Sequence, residues 1–508
     1  MAPARADRPQ GALGRSLALR PRRASAILGV VVGEAVAVWM FAVTAGPASL
    51  RAPLIAGAAV ALVLALAPNA RRLLLAVVLL DVPLQVGRFF AYQDGPANLG
   101  AIGGVELSLT TVAIICLWAM RLVEAPRPDA SSRWRAAKPV ALPLVLYVAV
   151  VAISAAFAGD VALSFFEIVM LVQTLAVFLY IATSLADRAE VLFAVDWILV
   201  GLVLQGALAV WLRLGGAAID VAGIESRVDE GAFERFGGTI GAPNTAAAYF
   251  GMLLIVALAV LLAPVAPRRR ALAGAALVLG GVGLVTTFGR GGWLAAAVSL
   301  VVFLGIARRQ KLLAAGVRIR PAAVAIILVF VLVFGGLVGS RVVEDDSNAA
   351  GSRVPLLDTA GAMIADHPLS GVGANNYAEA AAPYLTRDVA HNWFYTVHDK
   401  YLLVWSEGGL AALIAFVWFL VATVRTGLRA SRDGDRTMRL IVLALVAGIV
   451  GHMFHMLVEI LNGRGPVQAL WTMAALVVAI AAVNAVSTTA SRDRRARAAA
   501  TGDGRAGP

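Results

Sequence analysis

Cysteine is nearly absent from this sequence. Cys116 is the single cysteine in 508 residues, and it lies inside an apolar run. One thiol excludes an intramolecular disulfide framework and any metal site built from several cysteines. It also leaves the redox compartment of the protein undetermined.

Charge is scarce as well. Charged residues make up 15% of the chain against 60% hydrophobic residues, and the mean hydropathy is +0.83. This apolar content exceeds what a soluble core requires, and the apolar runs recur at the length that crosses a bilayer. The net charge of +12 comes from short basic clusters between those runs, which argues against a nucleic-acid partner. We therefore predict an all-α, polytopic integral membrane protein.

The apolar runs predict about 14 transmembrane helices, with a range of about 12 to 14. The Arg-rich start of the chain resembles a signal peptide, but the many later runs favour an uncleaved signal anchor. The predicted spans lie at roughly residues 25–45, 52–67, 73–90, 104–120, 140–158, 163–185, 191–212, 243–264, 271–288, 291–307, 321–340, 398–424, 440–460 and 467–487.

Basic residues set the predicted orientation. With the N-terminus inside, 32 of the 43 Lys and Arg residues fall on inner segments, as expected for the cytoplasmic side. Both termini are then cytoplasmic, and residues 1–24 and 491–508 are predicted to be disordered tails. Between them we distinguish N-terminal helices at 25–230 and a second helical region at 231–490. The long outer loop, 341–397, belongs to the second region.

Two arginines lie beside short outer turns. Arg235 precedes the glycine-rich segment GGTIGAPN, where a helix starting near Pro243 would point its positive end outward. Arg290 interrupts two apolar runs in TTFGRGGW, a costly position unless the guanidinium is paired or faces water. Both suit an anion site. The alternatives are a surface arginine on an ordinary turn for Arg235 and a side chain reaching the lipid headgroups for Arg290.

The long outer loop contains a predicted amphipathic helix from about Pro355 to Asp366, stopped by Pro368. Arg353 stands just before this helix. It is a candidate for the same anion site, and a plain helix-flanking charge is the competing interpretation.

His398 ends the outer loop and begins the apolar segment HDKYLLVWSEGGL. A histidine at the membrane surface, beside a loop long enough to cover a substrate, is a candidate general base. The alternative is a helix-capping or hydrogen-bonded interfacial histidine. Glu407 falls near the opposite helical face, so we do not expect it to be the partner of His398.

His452, His455 and Glu459 are spaced three and four residues apart, which predicts one face near the outer end of a span. Two histidines and one carboxylate suggest either a metal or proton site or a buried hydrogen-bonded support. We favour the support because no third histidine or cysteine ligand is near. Glu167 and Asp196 are further carboxylates inside spans, and the sequence names no partner for either.

Five segments together resemble the bacterial O-antigen ligase and O-antigen polymerase superfamily, over about residues 235–475. They are Arg235 with GGTIGAPNTAAAY, Arg290 in GRGGW, Arg353 with MIADHPLSGVGANNY, HDKYLLVWSEGGL from His398, and HMLVEILNGRGPVQALW from His455. The chain departs from the pattern at Asp399, where Asn is more frequent, and at Glu459, where Asp is. Residues 1–230 resemble the superfamily only as a series of spans.

The resemblance implies a GT-C-like fold and a multi-pass enzyme of the bacterial cytoplasmic membrane that works in polysaccharide biosynthesis at the cell envelope. The donor would be a glycan on undecaprenyl diphosphate, and the acceptor a hydroxyl of a glycan, lipid or protein on the outer face. Neither a cofactor nor a metal is implied.

The resemblance also implies roles for residues of the matched segments. Arg235, Arg290 and Arg353 would hold the diphosphate, His398 would act as base, and the displacement would invert the anomeric centre. Supporting residues would be Asn244, Glu407, His455 and Glu459.

The sequence leaves three alternatives open. A polymerase of lipid-linked repeat units would use the same donor and a similar site. A secondary transporter or flippase would place its charges on a pathway through the midplane. A non-catalytic partner in an envelope complex would not need His398 or Arg290.

Overall fold

The computed structural model describes residues 69–124, 129–215, 220–221, 224–225, 227–229, 235–313, 354–385 and 395–502, without the side chains of 215–229 and 486–502. The predicted spans at 25–45, 52–67 and 321–340 lie outside these residues. The chain divides into two compact units, residues 1–77 with 111–127 and residues 78–110 with 128–508. The second unit contains every residue of the candidate site described below.

Nine helices of the described part are long and apolar enough to cross a membrane. Each coincides with one of the predicted spans, so the protein is a mostly helical, multi-span membrane protein; the count of about 14 stays a prediction. The nine are α4 (Ala130–Ser154), α5 (Val161–Ser184), α6 (Arg188–Gly215), α7 (Pro243–Leu262), α8 (Pro267–Thr286), α9 (Arg290–Arg309), α12 (Lys400–Ala430), α13 (Arg436–His455) and α14 (Arg464–Gly502).

The predicted spans at 73–90 and 104–120 are wrong in their boundaries. Each is a 15-residue helix joined to a short strand, and the two strands pair antiparallel. The strand sequences GRFF and VELS are partly apolar, and hydropathy alone does not separate such a strand from a helix end. The elements are α1 (Ala70–Leu84), β1 (Gly87–Phe90), α2 (Asp94–Asn98), β2 (Val105–Ser108) and α3 (Leu109–Val123).

Two further antiparallel pairs and two short helices complete the described elements. The strands are β3 (Asp220–Val221) with β4 (Ile224–Glu225), and β5 (Arg227–Asp229) with β6 (Arg235–Gly238). The helices are α10 (Val354–Asp366), which confirms the helix predicted in the long loop, and α11 (Tyr377–Ala380). Short 3-10 turns follow at Ala155–Phe157 and Ala382–Tyr384.

The backbone of α14 continues to Gly502, whereas the sequence predicts no regular structure from Ser491 onward. The segment ASRDRRARAAA is rich in alanine and arginine, which are among the strongest helix formers. The prediction of disorder rests on the Ala-, Gly-, Pro- and Arg-rich composition together with the lack of apolar periodicity, whereas alanine and arginine by themselves favour a helix.

Small residues let the long helices approach closely. A β-carbon added at Gly448 of α13 would lie 2.4 Å from the Met252 carbonyl oxygen of α7. A β-carbon at Gly451 would lie 2.4 Å from the Ala295 carbonyl oxygen of α9. Packing through small residues is typical of helices inside a bilayer, where apolar side chains gain little from leaving lipid.

Helix α12 is kinked where a loop inserts into it. Gly409 has φ 72°, in the left-handed region that favours glycine, and a β-carbon there would lie 2.0 Å from the Leu369 carbonyl oxygen. At the kink the Ser406 carbonyl accepts from the Val372 N–H at 2.8 Å. The Glu407 carbonyl accepts from the Gly373 N–H at 3.0 Å. The loop after α10 is thereby hydrogen-bonded to α12, the helix that starts two residues after His398.

Candidate functional site

His398 lies two residues before the start of α12, and the next residue, Asp399, caps that helix. One Asp399 oxygen accepts from the N–H groups of Tyr401 at 2.8 Å and Leu402 at 3.0 Å. Burial raises the pKa of the Asp399 carboxyl from its ordinary value, and the two N–H donors oppose that rise. Aspartate and asparagine are equally good caps, so the departure at Asp399 from the resembled pattern leaves this contact intact.

Glu459 faces His398. Its Oε1 lies 4.0 Å from His398 Nε2, and the two side chains are 9% and 12% exposed. The predicted placement of Glu459 on a helical face with His452 and His455 is wrong, because α13 ends at His455 and Glu459 lies in the following loop. A turn between α13 and α14 follows His455, and in this turn the Val458 N–H donates to the His455 carbonyl at 3.0 Å.

Asn244 connects Glu459 to Arg235. At the start of α7, Asn244 Nδ2 donates to Glu459 Oε2 at 2.6 Å, and its Oδ1 accepts from Arg235 Nη2 at 2.6 Å. Arg235 also donates from Nε to the Thr287 carbonyl at 3.0 Å. A continuous set of contacts therefore runs from Arg235 through Asn244 and Glu459 to His398. We call these four residues the rim set.

Arg290 is the first residue of α9, and its side chain is exposed. Glycines on both sides bring the start of α9 close to the rim set. A β-carbon at Gly289 would lie 3.6 Å from Asn244 Oδ1, and one at Gly291 would lie 2.9 Å from His455 Nε2. His455, which is 2% exposed, thus packs under the turn that carries Arg290.

Arg353 lies outside the described residues, so its predicted role stays a prediction. Within the described ranges, His, Cys, Asp and Glu side chains form no cluster of three or more that could hold a metal ion. The sequence suggests a site formed by His452, His455 and Glu459. Glu459 instead contacts Asn244 and His398 and shares no helical face with His452.

Glu407 lies apart from His398, inside the kink of α12. It is 6% exposed, and its Oε1 accepts from the Tyr377 N–H at 3.1 Å, holding the inserted loop. Its charged neighbours are Lys400 and Glu167. Lys400 also donates from Nζ to Asn462 Oδ1 at 2.5 Å and from its backbone N–H to the Met456 carbonyl at 2.8 Å.

We call Glu167, Lys400, Glu407 and Asn462 the buried set. Sequence reasoning missed Lys400, although a lysine at the start of an apolar run is itself a signal. The sequence names no partner for Glu167 or Asp196. In the structure Glu167 belongs to the buried set with Lys400, and Asp196 forms an ion pair with Arg269 at 2.9 Å. A cavity of about 20 Å³ lined by Glu167, Lys400, Asn462 and His452 has room for about one water molecule.

Helices α7, α9 and α12 begin beside residues of the rim set. Their first N–H groups and positive dipole ends favour an anion there. The arrangement therefore combines a histidine with a carboxylate partner, an exposed guanidinium and several helix N-termini. These groups suit a reaction in which a proton leaves one reactant while negative charge develops on another.

A family model described as O-antigen ligase matches residues 275–417. The matched stretch contains Arg290 and His398 and ends inside α12, so it leaves Arg235, Asn244 and Glu459 outside. No curated protein sequence matches the chain. This match confirms the resemblance drawn from the sequence motifs over residues 275–417, and the segments at Arg235 and His455 lie outside it.

Proposed function

We propose, from the match of residues 275–417 to a family model described as O-antigen ligase, that the protein transfers a glycan from undecaprenyl diphosphate to an acceptor hydroxyl. The observation that carries the proposal is the rim set itself. Residues as distant in sequence as Arg235, Asn244, His398 and Glu459 meet at one end of the helix bundle. Arg290 begins its helix beside them.

In the proposed step the acceptor oxygen attacks the anomeric carbon of the donor sugar as its proton passes to His398. The bond from that carbon to the diphosphate oxygen breaks, and its electron pair leaves with undecaprenyl diphosphate. A single displacement of this kind inverts the anomeric centre. Glu459 stabilises the imidazolium that forms, because an opposite charge at 4.0 Å is worth about 1 to 4 kcal/mol between bulk water and a protein surface.

Arginine is suited to the leaving group. Its planar, permanently charged fork can bind two phosphate oxygens at once, and Arg290 presents that fork in an exposed position. The N-termini of α7 and α9 add amide dipoles on the same side. Arg290 and these helix N-termini would stabilise the negative charge that develops on the diphosphate without a metal.

The distribution of charge supports a site on the outer face. Arginines cluster at the opposite end of the bundle, at Arg268–Arg270 in the first turn of α8 and at Arg308 and Arg309 at the end of α9. Basic segments are retained on the cytoplasmic side. The rim set would then face outward and both termini inward.

The test is incubation of the purified full-length protein with a lipid-linked glycan and candidate acceptors, followed by gel and mass analysis. One shifted acceptor band identifies a ligase, and a ladder identifies a polymerase. Undecaprenyl diphosphate must appear in proportion to the transferred glycan. Movement of intact donor across a vesicle membrane without transfer would instead identify a flippase and overturn the proposal.

A further inference from the structure

The segment that links β1 to β2 lies against the residues just before His398. The Thr396 backbone N–H and its hydroxyl both donate to the Leu99 carbonyl, at 3.0 and 2.6 Å. Thr396 is 2% exposed, so these donors are shielded from water. A backbone carbonyl of the N-terminal half thus holds the chain two residues from the candidate base.

Asn375 holds the same segment from the other side. Its Oδ1 accepts from the Ile102 N–H at 2.7 Å, and its Nδ2 donates to the Ile102 carbonyl at 2.9 Å and to the Leu163 carbonyl at 2.9 Å. Asn375 is 1% exposed. The linking segment, residues 99–102, is therefore fixed between the inserted loop and Thr396.

Buried ion pairs anchor the base of the β1–β2 hairpin. Arg464 Nη2 lies 2.6 Å from Glu106 Oε1, and Arg464 Nη1 lies 2.8 Å from Asp81 Oδ2. Asp81 also accepts from the Thr110 N–H at 3.0 Å. Because such pairs are costly to break when buried, the hairpin forms a stiff support between α14 and Thr396.

Contact continues from the hairpin to the imidazole. A β-carbon at Gly100, where φ is 98°, would lie 2.9 Å from the Tyr395 ring and 3.0 Å from the Thr396 hydroxyl. The Tyr395 ring centroid is 5.3 Å from that of His398. Any shift of residues 99–102 would therefore reach His398 through Tyr395 and Thr396.

We propose that Thr396 is a positioning residue, through which the β1–β2 hairpin fixes the His398 imidazole against Glu459. The inference rests on the proposed function, since it assigns part of the transfer site to residues 87–108. These residues lie outside both the family match and the motifs. Displacements of about 1 Å in a reacting group can cost about 10²-fold in rate.

The test compares Thr396→Val, which keeps the shape and removes the hydroxyl, with Thr396→Ser, which restores the donor. Valine should lower kcat by roughly 10- to 100-fold with little change in KM for the donor, and serine should recover most of it. Gly100→Ala should lower kcat similarly. The double variant Thr396→Val with Gly100→Ala should lose less kcat than the product of the two single losses, because both changes act on one contact.

Two controls are built into the chain. Gly95→Ala, in the same linking region, places its β-carbon in open space and should leave kcat unchanged. Thr423→Val removes another buried threonine hydroxyl bonded to a carbonyl, at 2.8 Å, but far along α12 from His398. Thermal unfolding of each variant separates loss of folded protein from loss of rate.

A second readout needs no donor. The rate at which diethyl pyrocarbonate modifies the His398 peptide, followed by mass spectrometry, should change in Thr396→Val and Gly100→Ala and return towards the parent value in Thr396→Ser. Unchanged modification and kcat in the valine variant, or no recovery by serine, would overturn the inference. Absence of glycan transfer by the folded parent would instead overturn the proposed function, while the modification rates would still decide the role of Thr396.

Discussion

The rim set and the buried set each have members near the start of α12, and they differ in what surrounds them. The rim set places His398 and Glu459 at 12% and 9% exposure, with the exposed Arg290 beside them. The buried set places Glu167, Lys400 and Glu407 at 6% or less, against backbone N–H groups and Asn462.

A carboxylate that is close in sequence to a candidate base need not be the partner of that base. Glu407 is nine residues from His398 and accepts a hydrogen bond from Tyr377 of the inserted loop. Glu459 is distant in sequence and faces the His398 imidazole. We therefore expect changes in the buried set to alter stability and changes in the rim set to alter rate.

The largest effect on stability is expected from Lys400→Met. Removing one partner of a buried charge cluster leaves the others uncompensated, which costs about 3 to 5 kcal/mol in the free energy of unfolding. Thermal unfolding in detergent measures the loss, with the exposed Lys138→Met as the matched control. Adding Glu407→Gln to Lys400→Met should recover part of it, and a parent-like melting curve for Lys400→Met would remove the distinction between the sets.

Next in size is Arg290→Lys. Lysine keeps the charge and loses the fork, and a charge-assisted hydrogen bond is worth about 1.5 to 3 kcal/mol, so transfer should slow roughly 10- to 100-fold. Arg309→Lys, exposed at the other end of the same helix, should transfer at the parent rate. Equal rates for the parent and both variants would mean that Arg290 does not hold the diphosphate.

Glu459→Gln should reduce transfer about tenfold at neutral pH, because the imidazolium formed in the reaction loses its negative neighbour. Glutamine can still accept from Asn244, so folding should be preserved. Single-turnover rates are compared with those of Glu379→Gln, an exposed carboxylate away from the rim set. A parent-like rate would reduce Glu459 to a structural contact.

The smallest perturbation tests orientation. Single cysteines replace the exposed Glu379, near the loop inserted into α12, and the exposed Asp433, just after the last residue of α12. The native Cys116 is buried. In whole cells an impermeant thiol reagent should label the first and not the second. The opposite labelling would place the rim set on the cytoplasmic side.

The sequence predicted much of this arrangement, since His398, Arg235 and Arg290 stand in recognisable motifs at the ends of apolar runs. It also gave the helix start at Pro243 and the loop helix that α10 confirms. It failed where partners are created by tertiary packing: Thr396 and Leu99 are 297 residues apart, and no local pattern joins them. It also failed at Glu459, because helical spacing continues in a sequence after the helix itself has ended.

The most direct test of the central claim is single-turnover glycan transfer measured beside donor binding for the parent, His398→Ala and His398→Gln, with the exposed His367→Ala as control. General-base assistance contributes about 10²- to 10⁴-fold, so alanine should lose that much rate while donor binding persists. Glutamine should not rescue it, since an amide cannot take up the proton. Rescue by glutamine, or loss of donor binding equal to the loss of rate, would contradict the account and make His398 a substrate-binding group.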